Sequence, residues 1–193
     1  KPEMDEDALY AYRVYDAAID DDSLFGWVTI DKQTAEVTQL TNDMYEYYAL
    51  TAAEYVDGYI FAVDAGNNFI VMEPGLFFRN EIVNLGVSVL DMTFNKADDT
   101  MYVTTKGWDE YGYELYSLAT LDLMTGELTT LVTSDSPYDL PYAMAATDDG
   151  VIYAVKYYDS GLYTVDLENL VLQNVLDADG NAIELYQSTG DVA

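Results

Sequence analysis

The sequence predicts an all-β chain built from recurring four-stranded antiparallel sheets, and three observations lead there. No stretch of about 12 residues shows apolar positions at i, i+3, i+4 and i+7, whereas short alternating runs rich in Tyr, Val, Thr and Leu recur throughout the 193 residues. One strand is written twice: LYAYRVYDA from Leu9 and IYAVKYYDS from Ile152 align Tyr10 with Tyr153, Arg13 with Lys156, Tyr15 with Tyr158 and Asp16 with Asp159. A second block recurs downstream, as GWVTIDKQTAEVTQL from Gly26, SLATLDLMTGELTTL from Ser117 and GLYTVDLENLVLQNV from Gly161, with a weaker copy in NFIVMEPG followed by NEIVNLG.

Each block reads as a strand ending in an acidic residue, a short polar turn and another alternating strand. With Asp31, Glu73, Asp122 and Asp166 taken as equivalent, the intervals are 42, 49 and 44 residues. Four-stranded repeats of that length are the blades of a β-propeller. Strand A of each blade is therefore predicted at 46–54, 89–96, 141–147 and 183–188, and strand B at 9–16, 59–65, 100–106 and 150–157. Strand C is predicted at 24–31, 68–73, 114–123 and 161–167, and strand D at 36–41, 80–86, 127–133 and 170–176. The A-to-B turns VDGYIF, ADDTMY and TDDGVI fit this register, because they put Asp-Gly or Asp-Asp-Thr where positive φ is needed.

The sequence thus divides into an N-terminal extension, 1–8, and one propeller domain, 9–193, of four repeats of about 45 residues. The first repeat lacks a strand A, and NAIELYQSTGDVA at the end reads as a lone one. The expectation is a velcro closure, in which the C-terminal strand A pairs with the N-terminal strands B to D and removes an exposed edge. A ring closed at four blades and a segment of a larger ring both fit the repeat.

Half the residues are apolar, which argues against disorder, and seven Lys and Arg face 36 Asp and Glu for a formal charge of -29. That field repels phosphate backbones and anionic lipid, so neither nucleic acid nor membrane insertion is expected. The chain has no His and no Cys. Ser-His-Asp and Cys-His catalysis, thiolate or imidazole zinc sites, His or Cys haem ligation and disulfides are therefore excluded. Carboxylate chemistry, tyrosine chemistry and oxygen-ligated calcium remain. KPEMDEDALY has neither a basic n-region nor an apolar run, so no signal peptide is present in this sequence, and the architecture points to the exterior or cell surface of a bacterium.

In WVTIDKQTAEVTQL, LYTVDLENLVLQNV and YAMAATDDGVIYAV the chain resembles the divergent propeller repeats of bacterial secreted and surface proteins, the YVTN-like and quinoprotein-like blades. The resemblance covers nearly the whole chain and its motifs are generic to blades. It implies an extracellular binding or scaffold role and carries over no catalytic residue. A sialidase-type Asp box, a Trp-Asp pair closing each strand C and the kelch double glycine are all missing; Trp108-Asp109 falls in a predicted loop.

In a propeller the B-to-C and D-to-A loops open on one face and the A-to-B and C-to-D turns on the other, and function belongs to the longer set. On the long-loop face fall Trp108, Asp109, Glu110, Tyr111 and Tyr113; Tyr15 with Asp20, Asp21 and Asp22; Tyr157, Tyr158 and Asp159; and Tyr138, Asp139 and Tyr142. Aromatic rings flanked by carboxylates suit a sugar, whose C–H face packs on the ring while its hydroxyls donate to the acids. The plainer reading is that Tyr, 19 of the residues, is a good strand former with a wet hydroxyl. Asp177, Asp179, Asn181 and Glu184 in DADGNAIE offer calcium ligands around a glycine, and Asp20 to Asp22 form a second acidic knot, although DADGN is also an ordinary turn. In EPGLFFRNE, Leu76, Phe77 and Phe78 form an apolar insert that either folds back over the sheet edge or meets another domain or subunit.

The sequence reading is a non-catalytic extracellular binding or scaffold module, without a cofactor unless calcium binds, directed at glycans or a surface protein. A carboxylate-dependent hydrolase or lyase acting on carbohydrate, calcium-assisted, is the rival class, with Asp109 and Glu110 as its acids because they share a loop with Trp108. A purely structural repeat array is the third.

Overall fold

The computed structural model describes residues 8–14, 26–43 and 47–185, and among these every regular element is a β-strand. The first blade holds β1 (Ala8–Arg13), β2 (Gly26–Asp31) and β3 (Val37–Gln39). The second holds β4 (Leu50–Val56), β5 (Tyr59–Asp64), β6 (Asn68–Met72) and β7 (Asn80–Asn84). The third holds β8 (Ser88–Asn95), β9 (Thr100–Trp108), β10 (Glu114–Leu121) and β11 (Leu128–Ser134). The fourth holds β12 (Ala143–Ala146), β13 (Ile152–Val155), β14 (Tyr163–Asp166) and β15 (Val171–Asn174). Each blade is an antiparallel meander in chain order. The four sheets are arranged as a four-blade β-propeller, as the repeat predicted.

The predicted C-terminal strand at 183–188 is only partly within the described residues. The amide of Leu162 donates to the Ile183 carbonyl at 3.1 Å, and Glu184 bridges Gly161, so this segment leans on the fourth blade. Closure of the propeller by residues beyond 185 lies outside the described residues, as do residues 1–7 of the predicted extension 1–8, whose last residue, Ala8, opens β1.

Three of the four acids taken as equivalent in the sequence do one local job, whereas at Glu73 the backbone carbonyl accepts the Phe77 amide, at 3.0 Å. Asp31, Asp122 and Asp166 each end a strand C and accept backbone amides two and three residues on, at 2.7–3.0 Å. Each Asx turn then needs one left-handed residue, supplied by Ala35, Gly126 and Leu170 at φ 58°, 73° and 56°. Asp57 and Gly58, both at positive φ, make the predicted tight turn between β4 and β5.

The Thr125 amide and hydroxyl and the Met124 amide hold the Asp122 carboxyl below the usual carboxylate range. A carboxyl whose pKa falls on folding adds stability above its unfolded value and loses that contribution as pH drops through the folded one. The stability gap between wild type and Asp122→Ala should therefore be open near about pH 7 and narrow below about pH 4. Urea midpoints of both proteins across that range test this; a gap that stays constant to the lowest pH of folding removes the carboxylate from the account.

Seams between blades follow one code. Strand B reads aliphatic, aromatic, small in every blade: Leu9-Tyr10-Ala11, Ile60-Phe61-Ala62, Met101-Tyr102-Val103 and Ile152-Tyr153-Ala154. Because side chains alternate across a strand, the aromatic looks toward the next blade and its neighbours toward the preceding one. Tyr10 and Tyr12 accordingly pack with Ile60 and Ala62, Phe61 with Met101 and Val103, and Tyr102 with Ile152 and Ala154. Inner strands add a second tie. Glu54 of β4 accepts the Phe94 amide of β8 at 3.3 Å, and Thr93 of β8 accepts the Ala146 amide of β12 at 2.9 Å, satisfying edge amides that face the central opening. Burial pushes the Glu54 carboxyl above its ordinary range.

Candidate functional site

Four of the predicted tyrosines come together. Tyr138 and Tyr142 stand on the connection between β11 and β12, and Tyr157 and Tyr158 on the loop between β13 and β14. Tyr157 lies at the centre, its ring centroid 5.9 Å from Tyr138, 5.0 Å from Tyr142 and 4.4 Å from Tyr158, with interplanar angles of 51°, 50° and 72°. Tilted and edge-on pairs of this kind are favoured by the ring quadrupoles. A hydrogen bond with Tyr158 raises the pKa of Tyr157, so the Tyr157 phenol stays protonated at neutral pH.

Tyr158 is strained. Its φ is +49° in a region that bulky side chains avoid, yet its side chain is 79% exposed. Phe77 is the informative contrast. It too is left-handed, at φ 54°, but its ring is buried and stacks on Trp27 at 5.1 Å, so packing offsets the backbone cost. No comparable burial repays Tyr158.

The floor of the tyrosine loop is tied down. Asp159 accepts the Gly161 amide at 2.6 Å and the Tyr163 hydroxyl at 3.1 Å, with Lys156 3.5 Å away. These partners, led by the Gly161 amide, hold its carboxyl below the usual range. Asp139 accepts the Ser134 hydroxyl at 3.0 Å.

Trp108, Tyr111 and Tyr113 sit on the same face but apart from the cluster: among the described residues none of them makes a ring contact. The loop carrying them is also shorter than the sequence suggested. Strand β9 runs on through Trp108, paired with Glu114, because Lys106 and Glu114 are ion-paired at 2.6 Å and Tyr116 donates to Glu114 at 2.8 Å, extending the ladder. What remains is a tight turn, 109–113, in which Asp109 accepts the amides of Tyr111 and Tyr113 at 2.8 Å each. The Asp109 carboxylate thus shapes the loop and leaves three exposed aromatic residues at the tip of a long hairpin.

Asp177 behaves in the same way. Its Oδ1 accepts the amides of Asp179 and Asn181 at 2.9 Å each, with the Asn181 amide the main reason its carboxyl is held low. Among the described residues no three acids converge to hold an ion. A calcium ion at this turn would compete with those amides. Tyr15 and Asp20 to Asp22 lie outside the described residues. The insert at Leu76–Phe78 divides: Phe77 folds in against the first blade, while Leu76 and Phe78 point outward.

Sequence reasoning missed two features. A central opening of about 650 Å³ is lined by the inner strands, with Tyr10, Tyr12, Glu54, Tyr55, Asp91 and Thr93 in its wall and no cation among the lining residues. The alternation of strand A carried that signal, since residues between the core-facing ones must line the axis. The other is Arg79, whose side chain is buried between the first two blades against Asp43 at 2.9 Å and the Tyr12 hydroxyl at 2.8 Å. Nothing local in EPGLFFRNE distinguishes it from a solvated arginine.

No family model and no curated protein sequence matches the chain. Among solved structures it is similar to a structural genomics protein of unknown function from Bacteroides thetaiotaomicron, at 13% identity and a TM-score of 0.61 over 86% of this chain and 44% of that one. It is similar to TolB from Acinetobacter baumannii, at 14% identity and a TM-score of 0.54 over 89% of this chain and 45% of that one. A third likeness is to an auxiliary nutrient binding protein from Bacteroides thetaiotaomicron, at 10% identity and a TM-score of 0.52 over 90% of this chain and 46% of that one. The chain spans less than half the length of each. These likenesses agree on the propeller fold. No helix among the described residues is long and apolar enough to cross a membrane.

Proposed function

We propose that the chain is a non-catalytic binding module of an extracellular or cell-surface bacterial protein, and that its ligand, a glycan, rests on the cluster of Tyr138, Tyr142, Tyr157 and Tyr158. The observation that carries this reading is Tyr158, an exposed aromatic ring held at a backbone conformation that a glycine would adopt without strain. Positive φ at this place serves the turn from Lys156 to Asp159, but a bulky ring there costs about 1–3 kcal/mol that glycine would not, and such strain is retained where a function needs the side chain. The exposed rings of Tyr138 and Tyr158 offer apolar faces to sugar C–H groups, and their hydroxyls and the Asp139 carboxylate offer hydrogen-bond partners to sugar hydroxyls. The resemblance to YVTN-like and quinoprotein-like blades supports an extracellular setting, and one of the similar propellers is described as a nutrient binding protein.

Tyr158→Gly separates a binding role from a structural one. Glycine relieves the positive φ, so the variant should be as stable as wild type or more so, by up to about 1 kcal/mol, while affinity for the glycans captured on an array falls about tenfold or more. If the wild-type protein captures no glycan, or if Tyr158→Gly and Tyr157→Ala bind as wild type does, the tyrosine platform is not the site.

A further inference from the structure

Three cations of the chain are held in the same way, over a tyrosine ring and against a carboxylate that the same tyrosine's hydroxyl also bonds. Arg79 lies 5.8 Å from the centre of the Tyr12 ring and 2.9 Å from Asp43, which accepts the Tyr12 hydroxyl at 3.0 Å. Lys106 lies 5.8 Å from the Tyr116 ring and 2.6 Å from Glu114, which accepts the Tyr116 hydroxyl at 2.8 Å. Lys156 lies 4.6 Å from the Tyr163 ring and 3.5 Å from Asp159, which accepts the Tyr163 hydroxyl at 3.1 Å. Ring face and carboxylate are both negative, so a cation between them is attracted from two sides.

The tip of the third-blade hairpin has the rings and the carboxylates of this arrangement and no cation of its own. Strands of nine and eight residues carry it, and Trp108, Tyr111 and Tyr113 are 68%, 76% and 70% exposed there. Asp109 gives only its Oδ1 to the turn amides, and neither its Oδ2 nor the exposed Glu110 has a partner among the described residues. Residues 108–113 include no Lys or Arg, and Lys106, the nearest in sequence, is already taken by Glu114 and Tyr116. The turn is also fixed in advance: the Asp109 amide donates to the Tyr113 carbonyl at 2.9 Å and the Gly112 amide to the Asp109 carbonyl at 3.1 Å. A partner would therefore meet these side chains on a backbone that needs little further ordering.

We propose that this tip docks an extended, arginine-bearing segment of a partner protein, with guanidinium groups laid on Trp108, Tyr111 and Tyr113 and paired with Asp109 and Glu110. The occupant is cationic because rings and acids together repeat the surroundings of the chain's own cations, and because a charge of -29 draws in a basic segment and repels an acidic one. It is a segment of a macromolecule because the tip projects. Residues 108–113 line neither the central opening nor the cleft of about 480 Å³ between the second and third blades, and a small ligand there would stay largely in water. Arginine suits the tip better than lysine, since its planar group stacks on an aromatic face while its edge bonds a carboxylate. The docking face is separate from the tyrosine platform and does not depend on the glycan reading.

The anisotropy of a dye-labelled hexa-arginine peptide, titrated with the full chain at about 0.15 M salt, tests the proposal. Saturable binding by the wild type is expected. Trp108→Ala/Tyr111→Ala/Tyr113→Ala keeps the charge of -29 and, because the three rings are exposed, should keep the wild-type urea midpoint, yet it should bind the peptide about tenfold or more weakly. Glu110→Gln should weaken binding about twofold to fivefold. Tyr158→Gly should bind the peptide as the wild type does, whether or not that variant loses a glycan. Absence of saturable binding by the wild type overturns the proposal. So does a triple variant that binds as tightly as the wild type, which would mark attraction by net charge alone. A loss on Tyr158→Gly as large as that of the triple variant also overturns it, because the peptide would then lie on the tyrosine platform.

Discussion

Replacing Arg79 with methionine is expected to cost about 3–5 kcal/mol of unfolding free energy, the usual consequence of removing one partner from a buried ion pair. The guanidinium is 4% exposed and is held from several sides. It donates to Asp43 at 2.9 Å, to the Tyr12 hydroxyl at 2.8 Å and to the Tyr48 carbonyl at 2.6 Å, lies 4.0 Å from Asp64, and packs 4.6 Å from the centre of the Tyr47 ring. Methionine fills part of the volume and satisfies none of these groups. Asp43 would keep the Tyr12 hydroxyl, at 3.0 Å, but would be buried as an anion without a cation. Tyr12 cannot take over that role, because burial raises its pKa above the tyrosine range and keeps it a neutral donor. Asp64 is better provided, since it accepts the amides of Gly66 and Asn68 at 2.9 and 3.0 Å. The loss should therefore fall mainly on Asp43, and Arg79→Met/Asp43→Leu should recover most of it. Urea denaturation of the two variants decides the matter. A cost below about 1 kcal/mol for Arg79→Met would mean that the pair contributes no more than a surface bridge.

This arginine marks the boundary of what could be read from the chain. Blade number, strand order and the tight turns follow from local chemistry: alternation gives the strands, Asp-Gly at 57 and 58 gives a hairpin, and Asp31, Asp122 and Asp166 give Asx turns whose amide partners lie within three residues. The seam code was also present in strand B, in the recurrence of Leu-Tyr-Ala, Ile-Phe-Ala, Met-Tyr-Val and Ile-Tyr-Ala. Contacts between loops were not legible, because they depend on how far neighbouring blades are turned about the axis. Arg79 finds partners at positions 12, 43, 48 and 64, and no window of sequence contains them. The same holds for the candidate site. Tyr138, Tyr142, Tyr157 and Tyr158 were each chosen as loop residues, and Trp108, Tyr111 and Tyr113 with equal reason, yet only the first four are brought into contact. Trp108 is carried away from them by the continuation of its own strand ladder, which rests on the Lys106–Glu114 pair and could not be weighed without coordinates.

Phe69→Ala should cost about 3–5 kcal/mol, because the ring fills the seam between the second and third blades and its surroundings are poorly able to collapse. Phe69 is fully buried, its ring stacked 6.1 Å from that of Phe61, within the cluster that contains Val89, Met101, Val103 and Leu121. The adjoining turn of the third blade reaches the same spot through Gly126, at φ +73°. A methyl group there would lie 3.2 Å from the Phe69 ring and 2.3 Å from Val83. The turn is thus already at contact distance with no side chain of its own to advance, and the Asp122 carboxylate fixes its path through two amides. A cavity opened at Phe69 would be lined by inner strands paired on both sides and by a turn that its hydrogen bonds hold in place. Phe78→Ala is the matched control: the ring is 69% exposed, and its removal should change stability by no more than about 0.5 kcal/mol. Since tyrosines 138 to 158 lie across the far side of the third blade, glycan capture by Phe69→Ala well below its denaturation midpoint should match wild type. A cost under about 1.5 kcal/mol would show that the second and third blades can slide together over the lost ring, and the seam would then have to be treated as compliant.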